Sequence, residues 1–184
     1  HSADGTREQE LYQFSNVEAT GKMIQIRYSL IPYLYSEFLK AALNDEMMFK
    51  PLAFDFPADH MAKETEDQLL IGDELMIAPV YKQNARGRYV YLPEEMMLVR
   101  MQTWDQIHTE ILPKGHHYVD VALEELVFFI RQQKAIPFGR PARNTDCIDH
   151  SALQLLGYPG CTYELYADNG FSPEPETSLS VTTL

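Results

Sequence analysis

From Gln68 onward the chain is a succession of short apolar runs cut by turn-forming residues, and no other feature of the sequence limits the possible folds so strongly. LLIGDELMIAPVY is a pair of apolar runs around Gly72-Asp73, and GRYVYLP is a strand stopped by Pro93. MLVRMQTW, HHYVDVA, LVFFIRQQ, ALQLLGYP and CTYELYADNG follow at short intervals. Runs of this length, rich in β-branched and aromatic residues and bounded by turn residues, predict strands, and many of them in close succession predict an antiparallel sandwich or barrel. Period-two alternation puts Tyr89 and Tyr91 on one face, with Val90 and Leu92 on the other, while Leu126, Phe128 and Ile130 share a face. Both sets are expected in the core. The alternative is that such rings are exposed and stack on sugars.

The segment ahead of Gln68 has a different character. Residues 1 to 16 are polar and read as loop; residues 17 to 43 are helical, closed by Asn44-Asp45; FKPLAFDF, residues 49 to 56, predicts a buried strand stopped by Pro57; residues 58 to 67 read as an acidic loop. Loop, helix, strand and loop make one and a half turns of an α/β pattern, too little to close a core. Within the helical stretch, Ile24, Tyr28, Ile31, Tyr35 and Phe38 recur at spacings of three and four, on one side of a 3.6-residue turn. Pro32 interrupts it, lacking the N–H that would reach the carbonyl of Tyr28 and conflicting with a helix interior by about 3 kcal/mol. Two arrangements accommodate it: a broken helix whose kink is fixed by packing, or two helices with Ser29 capping the second and Pro32 in its first turn. The last stretch, FSPEPETSLSVTTL, is expected to be a mobile tail or linker.

Acids outnumber bases by 27 to 15, for a formal charge of −12, without a cluster of Lys and Arg. That balance argues against a nucleic-acid or anionic-membrane surface, since a phosphate backbone is bound by clustered cations that release its counterions. A neutral substrate or a protein partner fits better. Cys147 and Cys161 are the only cysteines and form no CxxC pattern, so reduced thiols are expected rather than a disulfide framework or zinc knuckle. No apolar run approaches the ~20 residues that cross a bilayer, and the start, HSADGTREQE, has no likeness to a secretion signal. From the free thiols and the absent signal a cytoplasmic location is expected. A chain beginning on His1 rather than Met reads as trimmed, processed, or the tail of something longer.

Four segments in order carry a resemblance. HSADGTREQELYQF resembles an Arg-Asn-His segment followed by a Gln-Glu-Pro-Trp/Tyr element; RYSLIPYLY is similar to the helix after barrel strand seven; FKPLAFDFPAD resembles the "RPLFFEFPxD" of barrel strand eight; LLIGDELMIAPV and RYVYLP resemble the "LLGDxLLVAPV … VYLP" that enters a β-sandwich. Together they resemble glycoside hydrolase family 31, the α-glucosidase and α-xylosidase family, over roughly residues 1 to 170. The resemblance implies a mixed fold: the terminal piece of a (β/α)8 barrel, helix plus last strand, followed by an antiparallel β-sandwich. Residues 1–67 would end the catalytic barrel, 68–170 would form the proximal sandwich and 171–184 a tail. A "WYDFWTG" segment of the family is not recognisable in MMLVRMQTWDQIHTE, although Trp104 sits near.

Members are retaining glycosidases, which need two carboxyl groups about 5 Å apart. The resemblance implies that both are aspartates on barrel strands ahead of this segment, so no catalytic residue is assigned here and the chain alone is expected to be inactive. His1 matches the family's histidine that hydrogen-bonds sugar hydroxyls at the carboxyl end of barrel strand seven, and is the one expected substrate-binding residue. Glu10 matches the second member of the Gln-Glu element, with Leu11 in place of proline. The implied partners are an α-glucoside oligosaccharide and the remainder of the barrel, or a second copy of the chain covering the apolar face of residues 17 to 56; no cofactor or metal is implied. Asp55, Glu94-Glu95 and Glu124-Glu125 match no catalytic motif, and the adjacent pairs are expected at a solvated surface. His108, His116, His117 and His150, with Glu110 and Asp149, lack metal-ligand spacing. Ser151 and Cys161 lack the context of a nucleophile. The rival reading is a non-catalytic β-sandwich that binds carbohydrate or protein.

Overall fold

The computed structural model describes residues 10–13, 15–168 and 176–182. After a 3-10 turn at Leu11–Gln13, two helices follow end to end, α1 (Val17–Ser29) and α2 (Ile31–Asn44). Asn16 starts α1 by accepting the amide of Ala19 at 3.1 Å. Leu30 is the shared joint: its amide reaches back to Ile26 and Arg27, and its carbonyl accepts Leu34 at 3.0 Å. Pro32 therefore sits in the first turn of α2, where a missing N–H costs nothing. Of the two arrangements, the chain uses the second, but Ser29 does not cap; its hydroxyl donates to the Ile26 carbonyl at 2.6 Å.

Strand β1 (Phe49–Pro51) is followed directly by a helical turn, α3 (Leu52–Asp55), and by α4 (His60–Glu64). The strand expected over residues 49 to 56 is thus only three residues long. Pro51 has no N–H for a ladder, and its φ of −58° already suits the start of a helix. β1 pairs antiparallel with β2 (Leu69–Ile71), which turns through Gly72 into β3 (Leu75–Ile77). The remaining strands are β4 (Gly87–Leu92), β5 (Met96–Thr103), β6 (Gln106–Leu112), β7 (Gly115–Asp120), β8 (Leu126–Arg131), β9 (Ala135–Phe138), β10 (Gln154–Gly157), β11 (Thr162–Ala167) and β12 (Glu176–Thr182). A six-stranded antiparallel sheet runs β1-β2-β3-β8-β5-β6, and three two-stranded ribbons pair β4 with β7, β9 with β10, and β11 with β12. The stretch expected as a mobile tail contributes β12, which is registered on β11 from Thr162↔Thr182 to Ala167↔Glu176.

The central sheet is buried on both faces. Along β5, Met97, Val99 and Met101 face the helices, with Phe128 and Ile130 of β8, Ile136, Tyr163 and Leu165; Met96 and Leu98 face the other way, with Phe129, Leu70, Met76, Val90, Leu92 and Val119. That is why these strands read as nearly continuous apolar runs. Phe128 and Ile130 take the core positions that alternation predicts. The β4–β7 ribbon closes the second face, held at its edge by buried Gln68, whose amide donates to the Tyr91 carbonyl and whose oxygen accepts the Tyr91 N–H, both at 2.7 Å.

Candidate functional site

His1, the expected sugar-binding residue, lies outside the described residues. Glu10 is described: its carbonyl accepts the Gln13 amide at 3.0 Å, closing the 3-10 turn that Leu11 enters in place of proline.

Three charged clusters join the helical segment to the sheets. Beneath α2, Glu37 and Glu74 are only 5 % and 8 % exposed. Tyr163 donates to Glu37 at 2.5 Å and Lys40 donates to the same oxygen at 2.8 Å. Tyr33, fully buried, donates to the Ile71 carbonyl and lies 3.4 Å from Glu74, which Lys134 meets at 3.4 Å. Burial, reinforced by Glu37, raises the Glu74 pKa, and burial with the neighbouring carboxylates pushes the Tyr33 and Tyr163 hydroxyls well up. The space around Glu37 is filled: a Cβ on Gly72 would stand 2.1 Å from its Oε2, and Gly72 holds a φ of +63°. Two carboxylates enclosed this way have no room for a sugar between them. They pin α2 to β11 and to the β2–β3 turn.

At the next turn of the structure, Lys50 bridges Asp55 (3.1 Å) and Asp73 (2.5 Å), while Arg131 bridges Asp55 (2.5 Å) and Glu94 (2.8 Å). The hydrogen bond from Lys50 holds Asp73 below its usual pKa against its partial burial. Asp59 caps α4 through the amides of Met61 and Ala62, and accepts Tyr91 at 2.7 Å and Lys114 at 2.5 Å. Lys114 first, then Tyr91, lowers its pKa to about 2. Glu94 and Glu125 are therefore not the freely solvated acids that the sequence suggests: Glu125 accepts Arg100 at 2.9 Å. The signal available was the presence of Arg100 and Arg131 inside strands that are otherwise apolar, since a half-buried guanidinium needs carboxylate partners.

The histidines stay apart. His108 and His116 are exposed on β6 and β7, His150 is exposed in a 3-10 turn, and His117 places Nε2 2.8 Å from the Pro113 carbonyl. Among the described residues, no group of three or more His, Cys, Asp or Glu could hold a metal ion, and no helix is long and apolar enough to cross a membrane.

Two surfaces stand open. On the helices, the stripe read from the sequence is only partly covered: Ile24, Tyr35 and Phe38 are exposed and Tyr28 and Ile31 half-buried, with exposed Phe49 and Phe54 following in the chain, while Ile26, Leu30, Tyr33 and Leu39 enter the core. On the β4–β7 ribbon, Tyr89 and Tyr118 are cross-strand partners with ring centroids 5.2 Å apart and nearly perpendicular planes. Tyr91 and His116 continue the row at 5.0 Å. Tyr91 is buried as alternation predicts; Tyr89 is not, because that end of the ribbon's outer face is open among the described residues.

The sequence matches the model of the glycosyl hydrolase family 31 C-terminal domain over residues 45–136, half of the chain, and that of the family's TIM-barrel domain over residues 1–37. The chain belongs to glycosyl hydrolase family 31. It is 32 % identical over 177 residues to alpha-glucosidase 2 of Bacillus thermoamyloliquefaciens, covering 92 % of this chain and 22 % of that protein. It is 31 % identical over 180 residues to an alpha-glucosidase of Schizosaccharomyces pombe, covering 94 % and 18 % respectively. The chain thus spans about a fifth of the length of these relatives. Among solved structures it is similar to a family 31 dextranase of Flavobacterium johnsoniae complexed with isomaltotriose (TM-score 0.71, 22 % identity, 90 % of this chain and 21 % of that one). It is also similar to a cycloalternan-forming enzyme of Listeria monocytogenes in complex with a pentasaccharide substrate (TM-score 0.72, 23 % identity, 91 % and 16 %). At these identities the likeness concerns the fold.

Proposed function

We propose that this chain is the C-terminal portion of a retaining α-glycosidase that hydrolyses terminal α-linked glucose from oligosaccharides. The observation that carries this reading is the uncovered stripe of Ile24, Tyr35 and Phe38 beside a sheet whose own core is complete. Helices that bury one apolar face and leave further apolar side chains, Ile24, Tyr35 and Phe38, exposed on another are built to pack on two sides, and exposed apolar side chains of this kind mark an interface. In this reading α1 and α2 end the catalytic barrel, while β1, which pairs antiparallel with β2 within the range matched by the C-terminal domain, joins the sheets that buttress it. The similarity to alpha-glucosidases across nearly the whole of this chain supports the choice of substrate.

Retaining hydrolysis proceeds by displacement at the anomeric carbon by one carboxylate while a second carboxyl protonates the leaving oxygen, and water then releases the sugar. Both groups are assigned to barrel strands ahead of this segment. Among the described acids, Glu37, Asp55, Asp59, Asp73, Glu94 and Glu125 are engaged by Lys40, Lys50, Arg100, Lys114, Arg131 and the buried Tyr163. His1 would contribute hydrogen bonds to the sugar hydroxyls that strengthen as positive charge develops on the ring. The test is turnover of a chromogenic α-glucoside by the 184-residue chain and by the same chain preceded by its upstream coding sequence. Only the longer protein is expected to be active. Activity of the shorter one that persists through purification would refute the assignment of the carboxylates.

A further inference from the structure

We propose that Tyr81, in the loop before β4, together with Tyr89 and Tyr118 on the outer face of the β4–β7 ribbon forms a binding site for neutral pyranose oligosaccharides. The three rings are 65 %, 72 % and 58 % exposed and line one groove of about 340 Å³, within the size range of small-molecule sites. Tyr89 and Tyr118 are presented to solvent by the two-stranded ribbon, and Tyr81 by the loop that precedes it.

Each ring is fixed before any ligand arrives. Tyr89 and Tyr118 stand directly opposite in the ladder and form a corner, one ring edge-on to the other. The Tyr81 hydroxyl donates to Asp67 at 3.2 Å, and the Arg88 guanidinium lies 5.7 Å from its ring centroid. Arg88 is itself locked by Asp67 at 2.5 Å and by the carbonyls of Asp67 and Pro79 at 3.1 and 2.9 Å. Aromatic side chains held this way offer contact area at little entropic cost. Their faces suit the axial C–H surface of a pyranose, while their hydroxyls and the Asp67–Arg88 pair at the rim suit its hydroxyl groups.

The chemistry around the groove favours a sugar over a protein. Apart from Val80, its apolar surface is aromatic ring, proline and small residues, with no exposed leucine, isoleucine, methionine or phenylalanine among the lining side chains. Of the two cations that line it, Arg88 is paired with Asp67, which leaves the exposed Lys82 ammonium as a donor for sugar hydroxyls.

Binding of maltotetraose and of cellotetraose to the 184-residue chain is measured by saturation-transfer NMR and calorimetry. At least one of them is expected to bind saturably. Tyr89→Ala with Tyr118→Ala should weaken it about tenfold or more, and Tyr89→Phe with Tyr118→Phe should retain most of it, because stacking needs the ring rather than the hydroxyl. Tyr81→Ser, remote from the ribbon ladder, should weaken binding on its own and guards against a misfolded double variant. No binding of either sugar, or binding that the alanine and serine variants leave unchanged, overturns the proposal. A preference between the two sugars bears on the substrate class proposed above and not on the existence of this site.

Discussion

The helices and the central sheet of this chain treat their apolar residues in opposite ways. On β5 and β8 every large apolar side chain from Met96 to Val99 and from Phe128 to Ile130 is buried, whichever face it points to. On α1 and α2 the stripe read from the sequence stays largely outside, with Ile24, Tyr35 and Phe38 exposed and Tyr28 and Ile31 half-buried, and the side chains that enter the core are Ile26, Leu30, Tyr33 and Leu39, with Ser36 and Glu37 among them. The sheet finishes its packing within the chain, while the helices finish only half of theirs. A hydrophobic stripe therefore reports that a face will be covered, not what will cover it.

The largest expected contrast comes from truncating a ring in each region. Phe129→Ala, which empties a fully enclosed site between the sheet and the β4–β7 ribbon, should lower stability by about 3–5 kcal/mol in denaturant unfolding. Phe38→Ala on the open stripe should change it by less than about 0.5 kcal/mol. Equal effects would show that the helical stripe is packed in solution and would break the comparison.

Gly72→Ala probes the seam between the two regions. It forces a side chain into a left-handed conformation and against the Glu37 carboxylate, and should cost about 2–4 kcal/mol. Adding Glu37→Ala should recover the steric part, so the two substitutions will couple in a double-mutant cycle; strict additivity would mean that the strain is purely backbone.

The pH dependence should separate the two sides by sign. Asp59 has a folded pKa of about 2 against an ordinary 3.8, so its contribution is present above the ordinary value and is lost as pH falls through the folded one. Asp59→Asn should therefore flatten the acid limb of the stability curve. Glu74 is shifted the other way, by burial and by Glu37; the folded chain holds its proton more tightly than the unfolded one, so its contribution declines as pH rises above the ordinary 4.5. Glu74→Gln should remove that decline. Matching slopes for the two variants would contradict the contrast between an open cap and a sealed carboxylate.

The smallest effect on stability should come with a visible effect on assembly. Tyr35→Ser with Phe38→Ser leaves the core untouched and should reduce self-association of the 184-residue chain in light scattering. A monomer before and after the change would show that the stripe has no affinity for a second copy.

Much was legible in the sequence because it is local. The strands after Gln68, the Gly72 hairpin, the end of α2 at Asn44 and the family resemblance all follow from runs, turn residues and short motifs. QIHTEIL hid β6, since an edge strand with mostly exposed side chains carries little apolar alternation. AIPF hid β9 because Pro137 argues against a strand, although a two-stranded ribbon tolerates it. The stretch containing β12 is polar and proline-flanked, and only its pairing with β11 makes it a strand.

What the sequence determined by itself was periodicity: which stretches are extended or helical, and which of their faces are apolar. Which apolar face is buried was decided only in three dimensions, as the different fates of Tyr89 and Tyr91, and of Tyr33 and Tyr35, show. So was the meeting of Glu37 with Tyr163, 126 positions away. Backbone preference is set by near neighbours, whereas burial and ion pairing depend on which distant segments arrive to exclude water, and no window along the chain contains that information.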